Sequence, residues 1–314
     1  MTMVTVDNFI RAESDLYFTG IVKKGGFGRF EISRKLTAID QQNVIRLNRD
    51  TLYAAAVFDL DAAPVAIELP DPGARFMSMQ VLTQDQYTPR VVYTPGSHWF
   101  RRDEIGTRYV LLGIRILVDP TDASDLKTVH GLQDAIRVQQ ERPGTFEVPN
   151  WDAASQKKVR DALLCLAETM PDLKGAFGAQ GEVDPVRRLI GAASAWGGNP
   201  EKDAIYLNVV PDRNDGKVVY GIVVKDVPVD GFWSISVYNA QGYYQANSLD
   251  AYTVNSLTGK KGADGSVTVQ FGGCDGHTQN CLPTMEGWNY MVRLYRPRAD
   301  ILDGSWKFPV ARPL

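Results

Sequence analysis

The sequence predicts a mainly β protein with an α insert: two antiparallel β-sandwich domains joined by a helical module. Two observations carry this. Residues 52–118 and 205–295 both break into short runs rich in Val, Ile, Tyr and Phe, separated by Asp, Gly and Pro clusters. Such spacing is the mark of antiparallel strands in a sandwich or barrel. Between these stretches the apolar residues recur at helical period instead. The expected division is 1–120, an N-terminal helix plus a β domain; 121–198, the helical module; and 199–314, a C-terminal β domain. A length of 314 residues gives each domain enough chain for a sizeable core.

In chain order, Phe9, Leu16 and Gly20, with Ile10, Tyr17 and Ile21 beside them, predict a first helix that Gly25-Gly26 ends. The first strands are expected at Leu52–Phe58, Val65–Leu69, Phe76–Leu82, Arg90–Tyr93 and Tyr109–Val118. Ser124 is expected to cap a helix carrying Leu126, Val129, Leu132 and Ile136. Asp152 is the expected cap of the next helix, with Val159, Leu163, Leu166 and Met170 on its apolar face. Asp184-Pro185 supplies a cap followed by proline at the first helical position, ahead of Val186, Leu189, Ile190 and Ala193. Strands resume at Ile205–Val210, Val218–Val224, Phe232–Tyr238, Ala251–Asn255, Val267–Phe271 and Tyr290–Tyr295. Sliding Phe76–Tyr87 by 156 residues onto Phe232–Tyr243 matches Phe, Ser, Val and Tyr at four positions, which raises an internal duplication against chance.

Composition narrows the function classes. Lys and Arg number 34 against 37 Asp and Glu, so the net charge of −3 carries no basic surplus for nucleic acid. Hydrophobic residues at 44% and charged residues at 23% are globular proportions, not those of a disordered chain. No run approaches the ~18 apolar residues of a membrane helix, and Met1–Phe9 has no basic flank before an apolar core. The expected setting is cytoplasmic, with a trimmed secreted form left open. Three cysteines, an odd number, fit a reducing compartment better than a disulfide scaffold.

Several segments resemble a known pair of families. Asn48-Arg-Asp-Thr-Leu-Tyr53, Asp59-Leu-Asp with Pro64, and Leu69-Pro-Asp with Arg75-Phe are similar to the N-terminal domain-of-unknown-function family 1254. Asp230-Gly-Phe-Trp-Ser-Ile-Ser-Val-Tyr-Asn239, Asn280-Cys-Leu-Pro283, Arg293-Leu-Tyr-Arg-Pro297 and Ile301-Leu-Asp-Gly-Ser-Trp306 resemble the C-terminal family 1214, which often follows the first. The resemblance implies a β-rich architecture with a jelly-roll-like C-terminal domain and helices between, and implies no chemistry. One departure is Cys281, where the family pattern has Trp. Many relatives also carry a secretion signal that this sequence does not show.

Chemistry must therefore come from the residues. Cys274, His277 and Cys281 fall within eight positions and offer soft and borderline ligands for zinc, but the spacing matches no recurrent site and no second pair completes a tetrahedron. A polar loop with two incidental thiols, or a Cys274–Cys281 disulfide, is the alternative. No organic cofactor is expected, because no Walker loop, Gly-x-Ser-x-Gly or His-Glu-x-x-His motif occurs. His98 lies in a loop without a neighbouring triad partner.

What remains is carboxylates, amides, arginines and aromatics. Asp50 and Tyr53 are candidate acid–base groups, with Asn48 beside them; Asn and Asp before a strand also serve as turn formers. Alternation along Phe232–Tyr238 puts Trp233, Ile235 and Val237 on one face and Phe232, Ser234, Ser236 and Tyr238 on the other, a mix of hydroxyls and aromatics as the wall of a polar pocket or a wet sheet would show. Arg293, mid-strand among apolar residues, needs a partner if buried and is the leading candidate for an anion. The expected catalytic residues are Asp50, Tyr53 and Tyr238; the expected substrate-binding residues are Asn48, Arg75, Trp233, Asn280, Arg293 and Tyr295. Two functions stay open. One is a cofactor-free enzyme of hydrolase or lyase type on a small polar or aromatic molecule. The other is a non-catalytic β-sandwich protein binding a glycan or a protein partner, with Trp99, Trp196, Trp233, Trp288 and Tyr243-Tyr244 as a stacking surface. The expected partner is a small-molecule ligand, with no nucleic acid and no membrane, and homo-oligomer formation open.

Overall fold

The computed structural model describes residues 1–42 and 44–314. The chain forms two compact units: residues 1–34, 52–117 and 126–201 make unit 1, and residues 35–51, 118–125 and 202–314 make unit 2. Helices 123–135, 153–167 and 185–194 fall almost wholly in unit 1. The division differs from the expected three consecutive segments, since residues 35–51 of the N-terminal region belong to unit 2.

Unit 1 carries α1 (Phe9–Lys23), β1 (Glu31–Ile32), β2 (Thr51–Asp59), β3 (Val65–Leu69), β4 (Met77–Thr83), β5 (Val91–Val92), β6 (Gly96–Phe100) and α2 (Arg102–Ile105). It continues with β7 (Tyr109–Leu117), α3 (Ala123–Ala135), β8 (Arg137–Gln140), α4 (Ala153–Ala167) and α5 (Pro185–Ser194). Unit 2 carries β9 (Ala204–Val209), β10 (Tyr220–Val224), β11 (Trp233–Tyr238), β12 (Thr253–Asn255), β13 (Val267–Phe271), β14 (Cys281–Leu282), β15 (Asn289–Tyr295), α6 (Ala299–Leu302) and β16 (Arg312–Pro313).

The sheets run β1-β2-β7-β4-β5 and β6-β3-β8 in unit 1, and β12-β11-β15-β9 and β14-β13-β10-β16 in unit 2. Counted along the chain, the two units repeat one strand order. The run β2-β7-β4-β5 corresponds to β9-β15-β11-β12, and β6-β3-β8 corresponds to β13-β10-β16. The 156-residue offset seen in the sequence lays β4 onto β11, in the same slot of each sheet. A duplicated unit gives this result directly; chance matching of a few residues does not.

In unit 2 the alternate residues Trp233, Ile235 and Val237 of β11 and Tyr290, Val292 and Leu294 of β15 meet Tyr220, Ile222, Val267, Val269 and Phe271 of the facing sheet in one apolar core. That is the packing of a sandwich, where one side of each strand is removed from water. In unit 1, α1, α4 and α5 share a separate cluster of Val4, Phe9, Ala12, Leu163, Ile190 and Ala192.

Three details depart from the sequence reading. The start of α3 is fixed by Asp122, whose carboxylate accepts from the Ser124 N–H at 2.8 Å, so Asp122 and not Ser124 does the capping. The helix α1 buries Glu13, Ser14 and Asp15 and leaves Leu16 51% exposed, the reverse of the apolar pattern expected. Buried charge is tolerated because Glu13 accepts from Arg160 and from Gln156 (2.9 Å), and Asp15 accepts from Gln84 (2.8 Å) and the Trp151 indole (2.9 Å). The short strands β6 and β8, which flank β3, escaped the pattern because edge strands carry polar residues, as Arg137, Gln139 and Gln140 do.

The last residue of β2, Asp59, is the main buried anchor of unit 1. It accepts from Arg108 Nε at 3.2 Å and Nη2 at 2.9 Å, and from the N–H groups of Thr145 (3.3 Å) and Asp61 (3.1 Å). Gly144 permits the approach, since a Cβ there would sit 2.5 Å from Asp59 Oδ2, and its φ of +72° favours glycine. Burial would raise the Asp59 carboxyl, but these donors outweigh it and hold the group below the usual carboxylate range. A depressed folded-state value means the stabilisation is present above the unfolded value of about 4 and is lost as pH falls through the folded value. The expected outcome is that Asp59→Asn lowers stability by about 2 kcal/mol at neutral pH. Urea midpoints should show wild type and variant converging below about pH 4.

Candidate functional site

Alternation in unit 2 creates a second, polar side to the sheet that holds β11. Opposite the apolar core, β11 presents Ser234, Ser236 and Tyr238. Register sets Ser234 beside both Arg293 of β15 and Asn255 of β12, and Ser236 beside Met291 and Thr253. The segment 44–50 from the N-terminal region lies against this face as a strap. Arg46 N–H donates to the Gly242 carbonyl at 2.7 Å, and Arg46 Nη1 donates to Asn289 Oδ1 at 2.8 Å.

Arg293 is 2% exposed and sits at the middle. Its Nη1 donates to Ser236 Oγ at 2.9 Å; its Nη2 donates to the carbonyls of Arg46 (2.8 Å) and Leu47 (3.2 Å) and to Tyr238 Oη (2.6 Å). The Tyr238 hydroxyl donates to the Leu47 carbonyl at 2.8 Å and lies 3.2 Å from the Tyr244 hydroxyl. Burial works against the Arg293 charge, but the surrounding phenol oxygens and the Asp50 carboxylate outweigh it, and its pKa stays well above the ordinary value. Tyr244 is also pushed well above the ordinary phenol value, chiefly by burial, so it is a neutral hydroxyl at physiological pH. Arg46 is lowered by burial and by repulsion from Arg293; the guanidinium carbons of Arg46 and Arg293 lie 5.8 and 5.9 Å from the centre of the Tyr238 ring.

Asp50, wholly buried, closes the group. Its Oδ1 accepts from Thr253 Oγ1 and Asn255 Nδ2, each at 3.0 Å. Its Oδ2 is enclosed and has no hydrogen-bond partner among the described residues, and neither has the buried Ser234 hydroxyl. Arg46 and Arg293 outnumber Asp50, so the centre favours an anion.

Of the sequence candidates, the structure brings Asp50, Tyr238, Arg293, Asn48 and Tyr295 together. Asn48 has a turn-forming role: its Oδ1 accepts from the Asp50 N–H at 2.8 Å, while its Nδ2 lies 3.4 Å from the Tyr295 hydroxyl. The other four lie elsewhere, each for a physical reason. Trp233 points into the apolar core with Phe308, because alternation sends it to the opposite face from Ser234. Asn280, at φ +53°, closes a turn through bonds to Lys260 and Thr268. Arg75 donates to the Leu117 carbonyl in unit 1 at 2.6 Å. Tyr53 belongs to unit 1, where Arg115 lies 5.6 Å from its ring centre.

That Arg115 is the counterpart of Arg293. It faces Ser78 across β4 and β7 as Arg293 faces Ser234 across β11 and β15, and its Nη1 donates to Gln80 Oε1 at 2.9 Å. The residues that sequence reading left out of the candidate set are Arg46, Tyr244, Thr253 and Asn255. Alternation along Ala251–Asn255 would have marked the last two; no local signal marks Arg46.

Cys274 and Cys281 are joined in a disulfide, so neither sulfur is a thiolate ligand in this state, and His277 lies in the exposed turn between them. Among the described residues no group of three His, Cys, Asp or Glu could hold a metal ion. Cys165 is free and exposed on α4.

Residues 27–98 match the family described as "Protein of unknown function (DUF1254)", and residues 203–299 match "Protein of unknown function (DUF1214)". The chain carries both domains, in that order. The polar centre draws on each: Arg46 and Asp50 come from the DUF1254 stretch, and Tyr238, Thr253, Asn255 and Arg293 from DUF1214. Among solved structures, the chain is similar to the VPA0106 protein from Vibrio parahaemolyticus at 16% identity and a TM-score of 0.74, covering 98% of this chain and 96% of that one. It is also similar to an uncharacterized protein from Burkholderia cenocepacia at 11% identity and a TM-score of 0.53, covering 98% and 86%. At such identities the likeness shows the fold alone. No curated protein matches.

Removing Arg293 strips partners from Ser236, Tyr238 and two strap carbonyls at once. The expected outcome is that Arg293→Met destabilises unit 2 by about 3 kcal/mol, read from urea unfolding followed by tyrosine and tryptophan fluorescence. A loss under about 1 kcal/mol would mean that the guanidinium does not hold the strap.

Proposed function

We propose that the DUF1254–DUF1214 chain is an acid–base enzyme acting on a small anionic molecule at the polar centre of unit 2. The observation that carries this reading is the enclosed, unpartnered Oδ2 of Asp50. A buried acceptor without a donor costs roughly 1–3 kcal/mol, and its other oxygen, Oδ1, is already fixed by Thr253 and Asn255. A carboxylate held by one oxygen with the other bare is arranged to take a proton from something that visits.

The neighbouring groups supply the remaining roles. The strap carbonyls of Arg46 and Leu47 occupy Arg293 Nη2. A substrate carboxylate, a stronger acceptor than a carbonyl, would displace them and bind the guanidinium. Asp50 Oδ2 would then accept a proton from the substrate, while the Tyr238 hydroxyl, released from Leu47, would donate a hydrogen bond to the oxygen on which negative charge develops. Tyr244, a neutral phenol, would fix Tyr238 in place.

The glycan-platform reading has less support. Trp233, Trp288 and Tyr244 are 6%, 0% and 3% exposed, and Trp196 is stacked on Tyr17 at 4.2 Å, so no row of open aromatic faces is formed by them.

The test is a thermal-shift panel of small carboxylic acids against wild type, Asp50→Asn and Arg293→Met. A ligand of the folded state at about a hundred times its Kd adds about 2.7 kcal/mol, which raises the melting temperature by several degrees. The expected result is a shift for at least one acid in wild type that both variants lose while keeping their circular dichroism. A panel without effect on wild type, or variants that keep every shift, would overturn the reading.

A further inference from the structure

Unit 1 has a cleft unrelated to the polar centre of unit 2. It has a volume of about 280 Å³ and is lined by Thr83, Asp85, Tyr87, Ile105, Gly106, Thr107, Gln180 and Arg188. Arg188, on the first turn of α5, lies flat against Tyr87 with its guanidinium carbon 4.2 Å from the ring centre. The helix places it there: Asp184 caps α5 by accepting from the Val186 and Arg187 N–H groups, each at 2.9 Å, with Pro185 at the first helical position.

The state of the guanidinium is informative. Nη1 donates to the Asp85 backbone carbonyl at 2.6 Å. The Asp85 carboxylate, which also lines the cleft, pairs with Arg11 at 2.7 Å. Arg188 Nε is enclosed and has no hydrogen-bond partner among the described residues. Nε–H and the adjacent Nη2–H form the edge of a guanidinium that grips a carboxylate in two parallel bonds. Nη1 of Arg188 is therefore committed to backbone, one face is covered by a ring, and Nε lacks an acceptor among the described residues, beside a cleft of small-ligand size.

We infer that this cleft is a binding site for a small hydroxylated carboxylate. Arg188 would take the carboxylate through Nε and Nη2. The Gln180 side chain lines the same space and would bond a hydroxyl group, with Ile105 and the Tyr87 ring giving an apolar wall; the Thr83 hydroxyl already accepts from the Tyr87 N–H at 3.1 Å and serves as wall. The Thr107 hydroxyl is already bonded to the Tyr109 carbonyl at 2.8 Å and serves as wall. The site requires nothing of Asp50 or Arg293, so the two sites stand or fall separately.

The experiment is isothermal titration of the full chain with lactate, gluconate and galacturonate, with galactose as the uncharged control. Galacturonate, or one of the other two acids, should bind saturably and galactose at least tenfold more weakly. Arg188→Gln should lose binding at least tenfold in the wild-type chain and equally in an Asp50→Asn background, where the polar centre of unit 2 is disabled, and Arg188→Lys should recover part of it. Because a change at Arg188 could disturb α5, the Arg188 Nε–H resonance of the wild-type protein provides a second readout and should shift on titration. If none of the three acids binds, if Arg188→Gln binds equally well, or if the Nε–H resonance stays in place at saturation, the inference is wrong.

Discussion

A guanidinium removed from water is the constraint around which unit 2 is arranged. Arg293 has a full charge at the centre of a sheet face, and without partners such a group would be driven to the surface or would unfold its surroundings. Two hydroxyls from its own sheet, Ser236 and Tyr238, accept from it. The rest of the bonding comes from two carbonyls of residues 46 and 47, far away in sequence. The N-terminal region must therefore send a strap to the C-terminal sheet. In this chain the strap that reaches the DUF1214 sheet comes from the DUF1254 stretch.

The repeated strand order makes the comparison sharper. Each unit has an arginine opposite a serine at the same register, Arg115 with Ser78 and Arg293 with Ser234. In unit 1 the arginine bonds a glutamine of its own sheet and lies over Tyr53. In unit 2 the glutamine position is Ser236, which is shorter, and that leaves room at the guanidinium for the strap and for Asp50. The same fold thus holds two versions of one arginine site that differ in what reaches it.

Much of this was legible in the sequence, and what was not has definable causes. Short runs rich in Val, Ile, Tyr and Phe between Asp, Gly and Pro clusters found β2, β3, β4, β7, β10, β11, β13 and β15, because these strands are largely buried, β4, β11 and β15 at every position. Period-2 alternation separated Trp233 from Ser234 and marked Arg293 as needing a partner. It did not see β6 and β8, whose edge positions permit polar residues, nor the burial of Glu13 and Asp15, which depends on arginine, glutamine and tryptophan partners 69–147 positions away. Asp50 and Arg293 were individually apparent, but their association was not, since 243 positions separate them and no local pattern reports a strap. Tyr53 was grouped with Asp50 by nearness in sequence; the chain passes from unit 2 to unit 1 between them.

The central claim is that the polar centre of unit 2 opens to admit a molecule. Hydrogen exchange measured residue by residue addresses it most directly. The account predicts that amides 44–49 exchange through a local opening at least tenfold faster than those of β11 and β15. If the strap amides exchange only as fast as the β11 and β15 amides, in a single global event, the polar centre is a permanent structural staple and Asp50 has no visitor to serve.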